Sequence, residues 1–199
     1  AGFSTEINAV GQYIGCVILG LAIHFIFLFC VLKKFTHHGF LYIKYLFRAL
    51  LTAFGTASSS ATLPTTLSCT DDAGVNRSTS KFVVPLGATI NMDGTALYEA
   101  VAVMFIAQAY GIELNIGQQI VVFITATLAA IGAAGIPQAG LVTMVLVLTA
   151  VNLPLEGIGL LLAVDWFLDR FRTTINVWGD SVGAALVEAS IKYLSKLKD

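Results

Sequence analysis

Charged side chains are scarce in this chain of 199 residues: Lys, Arg, Asp and Glu make up 12% of it, whereas hydrophobic residues make up 57%. An ordinary soluble domain carries about 25% charged residues, so this composition excludes a normal polar surface. Together with a mean hydropathy of +0.84, it predicts an integral membrane protein. The formal net charge of −1 leaves no basic excess, so we expect no nucleic-acid partner.

Cysteine is also scarce and is limited to Cys16, Cys30 and Cys69. An odd number of cysteines without close spacing indicates neither a disulfide framework nor a zinc site. We expect these residues to act as small apolar filler.

Long hydrophobic runs are the main feature that is present. Residues 9–32 carry no formal charge over 24 positions. At about 1.5 Å per residue they exceed the hydrocarbon core of about 30 Å, so we predict a spanning helix. A signal peptide is disfavoured because the run is too long and has neither a basic flank before it nor a cleavage pattern after it.

The later hydrophobic segments are mostly interrupted. Residues 45–69 break at GTASSSATLP and residues 120–150 break at AAIGAAGIPQAG, which leaves arms too short to cross a bilayer, so both are predicted to be re-entrant hairpins. Residues 82–110 form a spanning segment broken at NMDGT, and residues 157–191 form a last crossing. This order predicts an all-α membrane fold of helical spans and two re-entrant helical hairpins, part of an inverted-repeat transport domain.

Basic residues lie in segments that this arrangement places on one side of the membrane, whereas the opposite loops GIELNIGQ and VNLPLEG have none. Because cytoplasmic loops are enriched in Lys and Arg, we predict that this side and the C-terminus are cytoplasmic. The residues concerned are Lys33, Lys34, Lys44, Arg48, Arg77, Lys81, Lys192, Lys196 and Lys198.

The last crossing carries ionisable residues in the stretch DWFLDRFRTTINVWGD. On a helix, Asp165, Asp169, Arg172, Asn176 and Asp180 fall within an arc of about 80°. A charge facing lipid costs about 2.5 to 3.5 kcal/mol on insertion scales, so this face should line a protein interior or a wet cavity. The alternative is a buried Asp–Arg network that only fixes helix packing.

Arg170 lies off this stripe, and we expect it to reach toward the interface or to pair with a neighbouring residue.

The hairpin tips and the NMDGT break are predicted to meet at the same cavity. Half-helix N-termini offer free N–H groups to anions, and unwound carbonyls suit a hard cation such as sodium. The oxygen donors Asn91, Asp93, Asn176 and Asp180 include no Cys or His, which argues against a transition metal. Anion donors, a carboxylate and a guanidinium together describe a pocket for an acidic amino acid with sodium beside it.

The blocks GTASSSATLP, GATINMDGTALYEA, IGAAGIPQAG and AVDWFLDRFRTTINVWGD resemble the excitatory amino acid transporters, the sodium-coupled glutamate and aspartate carriers, and their archaeal aspartate-transporter relatives. The resemblance runs from Gly11 to the C-terminus and suggests the C-terminal half of such a carrier. It implies a sodium-coupled symporter of L-glutamate and L-aspartate that works by an elevator mechanism, without enzymatic activity and without an organic cofactor. It also implies a multi-pass protein of the plasma membrane, surrounded by lipid, and a homotrimer formed through helices that precede this segment.

The resemblance assigns substrate contacts residue by residue. Ser59 and Asn176 are expected on the α-carboxylate, Asp169 on the α-ammonium group, and Arg172 on the side-chain carboxylate. An Arg fork suits a carboxylate because it binds both oxygens. The family's tip serines match Ser58, Ser59 and Ser60. Thr173 and the carbonyls of Ala57 and Ile136 are expected to help Asp169, and Thr95 and the N–H of Gly140 are expected to join Arg172.

The resemblance also assigns ion ligands, which come mainly from the backbone. One sodium site comprises the carbonyls of Gly87, Asn91 and Asn176 with the Asp180 carboxylate, a second the carbonyls of Thr89, Ala130, Ile131 and Ala133, and a third Asn91 and Asp93. The remaining ligands of the third site belong to a helix upstream. Glu99 matches the residue that carries the co-transported proton and supports potassium counter-transport, and a lone carboxyl in a membrane helix suits reversible protonation.

Several other functions are compatible with part or all of these motifs. A neutral amino acid exchanger of the same family would carry a smaller uncharged residue at position 172, and a channel-dominated member or an inactive truncated chain would share every motif. An intramembrane serine hydrolase is disfavoured because no base accompanies the serine run. His24, His37 and His38 receive no role and are expected to be packed or solvated.

Overall fold

The computed structural model describes residues 3–133, 135 and 137–197. The described residues form helices and no strands, which confirms the all-α fold. The helices are α1 (Phe3–Phe35), α2 (Phe40–Thr56), α3 (Ser59–Asp72), α4 (Arg77–Ile90), α5 (Asp93–Ala109), α6 (Ile116–Gly132), α7 (Ala139–Ala150) and α8 (Ile158–Lys196), with a 3-10 turn at Leu155–Gly157 before α8. We call α2 and α3 the first hairpin, and α6 and α7 the second hairpin.

The helices extend beyond the segments predicted from hydropathy. α2 begins at Phe40 rather than at residue 45, and α8 continues to Lys196 rather than ending at residue 191. In both cases the added residues include Lys, Leu and Tyr, which a helix tolerates, so the helix outlasts the apolar run. Hydropathy marks the membrane-embedded part of a helix and not its end.

Two described segments, Asn8–Phe35 and Arg77–Ala109, are long and apolar enough to cross a membrane. The second comprises α4 and α5 with the break between them. In the first, only 11% of the most apolar window is buried within the fold, so the described residues leave most of the surface of α1 uncovered.

Each break has a local cause in the backbone. Between α2 and α3, Ala57 adopts the left-handed conformation with φ of 49°, and the Ser58 side chain accepts the Ala61 N–H to start α3. Between α6 and α7, Gln138 is left-handed with φ of 61°. At the first tip the left-handed Ala57 ends α2 and redirects the chain into α3, whereas at the second tip the left-handed Gln138 immediately precedes α7.

Helix α8 lies at the centre and packs against α1, α2, α4 and α5. One apolar cluster joins Tyr98 of α5 to Leu168 of α8, and a second joins Leu32 of α1 to Val182 of α8. Phe25 of α1 stacks on Trp178 with ring centroids 4.7 Å apart. The central position of α8 brings its polar face to the point where both hairpins and the α4–α5 break converge.

Candidate functional site

A small cavity lies where both hairpin tips and the start of α5 meet α8. We call it the central cavity, and its volume is about 10 Å³, close to the minimum for one water molecule. A larger guest therefore requires one wall to move. Its lining residues are Ala57, Ser59, Met92, Thr95, Gly135, Ala139, Gly140, Asp169, Arg172, Thr173 and Asn176.

The polar stripe of α8 faces the protein interior, as predicted. Asp165, Asp169, Arg172, Asn176 and Asp180 are each no more than 4% exposed. The stripe therefore has no contact with lipid, which resolves how an apolar helix accommodates these charges.

Arg172 lies between two carboxylates. Its Nε donates to Asp169 Oδ1 at 2.8 Å and its Nη1 donates to Asp165 Oδ1 at 3.1 Å. The guanidinium also lies 4.3 Å from the centre of the Tyr98 ring, a cation–π distance. The sequence placed Asp165 on the stripe but assigned it no partner, and the structure makes it the second acid of this pair.

The tip of the second hairpin lies directly over these charges. The Gln138 N–H donates to Asp169 Oδ2 at 2.6 Å, and the Thr173 hydroxyl donates to Asp169 Oδ1 at 3.3 Å. A Cβ at Gly140 would lie 2.7 Å from Arg172 Nη1, which is closer than side chains approach. Glycine at 140 therefore allows the hairpin backbone to rest on the guanidinium.

Asn176 holds the start of α5 against α8. Its Oδ1 accepts the Gly94 N–H at 2.8 Å, and its Nδ2 donates to Thr95 Oγ1 at 3.1 Å. A Cβ at Gly94 would lie 2.5 Å from the Arg172 carbonyl oxygen. The small residue after the break is thus required by the close approach of the two helices.

The two hairpin tips are joined through Gly135. Its carbonyl accepts the Ser58 hydroxyl at 2.6 Å and the Ser60 N–H at 3.2 Å. Ser59 and Ala57 line the central cavity, whereas Ser58 uses its hydroxyl for this bridge. Ile136, predicted to offer a carbonyl to substrate, lies outside the described residues.

The residues predicted for the first sodium site are close together on α4 and α8. The Asn91 Nδ2 donates to Asp180 Oδ1 at 3.1 Å, and a Cβ at Gly87 would clash with that same oxygen. Asn176 lies one helical turn before Asp180 on the same face of α8. Asp180 is 2% exposed, so a cation is the natural partner for its charge.

Residues predicted for the third sodium site meet beside Gly179. A Cβ at Gly179 would lie 2.9 Å from both Asn91 Nδ2 and Asp93 Oδ2. His24 of α1 is also there, with Nε2 2.6 Å from Asp93 Oδ2. Sequence reasoning gave His24 no role, although an ionisable residue inside an apolar span is a signal that could have singled it out.

The residues predicted for the second sodium site are only partly gathered. Ala130 and Ala133 are buried beside Met92, and the Ala130 carbonyl already accepts the Ala133 N–H at 3.2 Å. Ile131 is 44% exposed, and the exposed Thr89 uses its hydroxyl to bond the Leu86 carbonyl at 2.8 Å.

Glu99 is fully buried next to the central cavity. The Thr143 hydroxyl of the second hairpin donates to its Oε1. Its other oxygen, Oε2, has no hydrogen-bond partner within the described part of the chain. A buried carboxyl with one free oxygen is suited to gaining and losing a proton.

Arg170, two residues before Arg172, faces a different element. Its Nη1 donates to the carbonyls of Phe54 and Gly55 at 3.1 and 3.0 Å. Because these are last-turn carbonyls of α2, Arg170 caps that helix and favours its dipole. The expectation that Arg170 pairs with a neighbour is confirmed.

Residues 3–190 match the family model described as the sodium:dicarboxylate symporter family. The chain is 55% identical over 196 residues to Excitatory amino acid transporter 1 of Homo sapiens, covering 96% of this chain and 36% of the relative. It is 54% identical over 184 residues to Excitatory amino acid transporter of Caenorhabditis elegans, covering 89% and 36%, and 56% identical over 186 residues to Excitatory amino acid transporter 4 of Mus musculus, covering 90% and 32%. The chain spans about a third of the length of these curated relatives.

Proposed function

This chain belongs to the sodium:dicarboxylate symporter family, and from that premise we propose that it forms the substrate-binding and ion-binding part of a sodium-coupled carrier of L-glutamate and L-aspartate. Family membership makes it part of an integral multi-pass membrane protein and not an enzyme. The similarity to excitatory amino acid transporters supports the choice of acidic amino acids.

The observation that carries the proposal is the Asp165–Arg172–Asp169 arrangement at the central cavity. Asp165 and Asp169 neutralise the guanidinium in the described structure. An acidic amino acid brings both charges that this pair needs: its side-chain carboxylate binds Arg172 and its ammonium group binds Asp169. The exchange keeps both Arg172 and Asp169 paired with an opposite charge, which is the condition for holding charges inside a protein.

Binding requires the second hairpin to open and close. The central cavity has a volume of about 10 Å³, too small for an amino acid, and Gln138 and Gly140 form its cover. We infer that the hairpin lifts to admit substrate and then closes, so that the Gly140 N–H and Thr95 complete the contacts to the side-chain carboxylate. Ser59 and Asn176 supply donors for the α-carboxylate, and Thr173 with the carbonyls of Ala57 and Ile136 supports the ammonium group.

Sodium ions are co-transported cargo in this proposal. The pairing of Asn91 with Asp180 and of Asp93 with its neighbours beside Gly179 supports two ion sites next to the α4–α5 break. A hard cation favours carboxylate and carbonyl oxygen of this kind. A further site at the carbonyls of Thr89, Ala130, Ile131 and Ala133 completes the proposal.

Glu99 is proposed to carry the co-transported proton and to support potassium counter-transport. The burial of Glu99 and its contact with Thr143 of the second hairpin support this role.

We further propose that the transport domain moves as an elevator and that its C-terminus is cytoplasmic in the plasma membrane. The protein is also proposed to form a homotrimer through segments that precede this chain.

The test is binding of L-aspartate and of L-serine to the purified, monodisperse protein, measured by isothermal titration calorimetry in sodium and then in choline. Sodium-dependent binding of L-aspartate without L-serine binding is the expected result. Equal binding of L-serine would favour a neutral amino acid exchanger. Binding of neither by folded protein would contradict the proposal for this chain.

A further inference from the structure

A group of buried polar atoms lies between α1, α5 and α8, next to the proposed substrate contacts. Within the described residues, the hydroxyls of Tyr13 and Tyr98, Glu99 Oε2, Asp165 Oδ2 and Arg172 Nη2 have no hydrogen-bond partner. Buried polar groups are almost always paired, and several unpaired ones in one place indicate a small polar guest such as water.

Most of these atoms lie around Arg172 and Tyr98. Arg172 pairs with Asp165 at 3.1 Å and covers the Tyr98 ring at 4.3 Å. The Tyr98 hydroxyl lies near both Asp165 and the Tyr13 hydroxyl. The Tyr13 and Tyr98 rings meet edge to face with centroids 6.3 Å apart. Glu99 is the next residue after Tyr98 on α5, and its carboxyl group lies near the Arg172 guanidinium.

Tyr13 connects this group of atoms to a second cavity, which lies between α1 and α5 and has a volume of about 350 Å³. It lies near the start of α1 and the end of α5, at the end of the fold where the described loops at residues 110–115 and 151–157 carry no basic residue. Tyr13 lines its floor, and the exposed amides of Gln12 and Gln108 line its sides together with Cys16. Two amides and a hydroxyl in this otherwise apolar seam suit water rather than lipid tails.

We propose that this second cavity is the mouth of a water-filled route along which Glu99 exchanges its proton, with the hydroxyls of Tyr13 and Tyr98 bridging the narrow part. The proposal rests on the proposed role of Glu99 in proton coupling. Each hydroxyl accepts a proton from water on one side and releases its own on the other. One proton enters at the cavity and one arrives at Glu99 Oε2, so neither tyrosine changes charge.

Besides Tyr13 of α1, the polar and charged groups that face Glu99 and Tyr98 lie on α7 and α8. On α8, Arg172 faces Glu99 and Tyr98, with Asp165 and Asp169 paired to it; on α7, Thr143 donates to the other oxygen of Glu99. Because the Thr143 bond uses Oε1, Oε2 is the oxygen left for the proton. The route therefore reaches Glu99 from α1 while the second hairpin remains closed over the central cavity.

The first experiment asks whether the second cavity holds water, using Cys16 as a reporter. A charged methanethiosulfonate reacts with thiolates, which form only where water reaches the sulfur. The full protein is reconstituted in nanodiscs, with Cys16 or Cys30 as its single cysteine. Both thiols are exposed on α1, and Cys30 is nearer to a helix end. Labelling of Cys16 at least tenfold faster than Cys30 supports the route, and labelling no faster than Cys30 overturns it.

The second experiment removes one hydroxyl by Tyr13→Phe, which keeps the ring packed. In proteoliposomes we expect sodium-driven net uptake and substrate-coupled proton entry to slow about tenfold, with a changed solvent isotope effect. Substrate exchange should remain within twofold, because exchange returns the loaded carrier without release of the proton. Tyr110→Phe, at the exposed end of α5, is the matched control and should change neither rate.

A third variant, Glu99→Gln, separates the route from the function on which it rests. If Glu99→Gln leaves proton coupling intact, the proposed role of Glu99 fails. If it abolishes proton coupling while Tyr13→Phe does not slow it, the route alone fails. In the Glu99→Gln background, Tyr13→Phe should have no further effect, and an added slowing would overturn the relay. If Tyr13→Phe also abolishes exchange, the labelling of Cys16 decides.

Discussion

Two arginines that lie two residues apart on α8 face different hairpins. Arg170 binds the first hairpin through the backbone carbonyls of Phe54 and Gly55. Arg172 lies beneath Gly140 of the second hairpin and is paired with Asp165 and Asp169. A bond to backbone carbonyls is independent of substrate, whereas an ion pair with carboxylates is open to exchange. The first hairpin is therefore expected to stay fixed while the second opens.

The helices of the hairpins differ in what their buried hydroxyls bond. In α3 the side chains of Thr62, Thr66 and Thr70 are buried, and each hydroxyl bonds a carbonyl of the preceding turn. In α7 the hydroxyl of the buried Thr143 also donates to Glu99 of another helix, α5. Both hairpins carry exposed apolar side chains, such as Phe47 of the first and Val142 of the second.

The largest expected effect comes from Arg172→Cys, which removes the group that the second hairpin covers. Hydrogen bonds to a charged group contribute about 1.5 to 3 kcal/mol each, so the loss of two should weaken L-aspartate binding at least about 100-fold. Neutral amino acids should then be favoured. Calorimetry with L-aspartate and L-serine measures both effects.

The matched control is Arg48→Cys, at an exposed ion pair with Asp72, which should leave both affinities unaltered. Acidic selectivity that survives Arg172→Cys would contradict the assigned role of the guanidinium.

A second prediction sharpens the contact between the second hairpin and Arg172. In Gly140→Ala the new Cβ would lie 2.7 Å from Nη1, and overpacking of this kind costs about 1 to 3 kcal/mol. We expect L-aspartate affinity to fall about tenfold because the hairpin cannot close fully. Gly132→Ala in the same hairpin, with no atom within 4 Å, is the control. Equal affinities of the two variants would disprove close contact at Gly140.

A third prediction concerns the first hairpin. Arg170→Met removes the cap on Phe54 and Gly55, and a typical hydrogen bond contributes about 1 kcal/mol. We expect faster hydrogen exchange at the amides near the end of α2, with no such change at residues 138–141. Mass spectrometry of the exchanged protein resolves the two regions. Faster exchange in the second hairpin instead would reverse the assignment of the two arginines.

The smallest effect is expected at the base of the first hairpin, where His38 packs on Tyr42 with ring centroids 4.6 Å apart. Burial, together with nearby Lys192 and His37, lowers the pKa of His38. The folded state then binds this proton less readily than the unfolded state, so stability should fall as pH drops below about 6.5 and stay constant above it. Melting temperatures at pH 7.5 and 5.5 should differ less in His38→Gln than in the parent or in His37→Gln. If the two melting temperatures of His38→Gln differ as much as those of the parent, His38 is not the source of the pH dependence.

The sequence predicted the helices, the breaks and the buried face of α8, because periodicity and turn chemistry are local properties. It also identified Asp169, Arg172 and Asn176 as neighbours on one face. It did not predict contacts between distant segments, such as His24 with Asp93 or Ser58 with Gly135. Such pairs depend on how helices dock, and nothing in the local pattern specifies the partner.

Glycines illustrate the same limit. Gly140 and Gly179 look like ordinary small residues in their helices, and only the docked structure shows that a Cβ would meet Arg172 at one and Asn91 at the other. The choice between Ser58 and Ser59 is similar, because the left-handed backbone at Ala57 determines which hydroxyl lines the cavity and which bridges the tips.

The most direct test of the central claim is hydrogen exchange in both hairpins with and without L-aspartate and sodium. If the second hairpin closes over substrate held by Arg172 and Asp169, the amides of residues 138–141 should gain at least fivefold protection, while those of residues 57–62 should change less than twofold. Equal protection of both hairpins, or protection of the first alone, would contradict a fixed first hairpin and a moving second one.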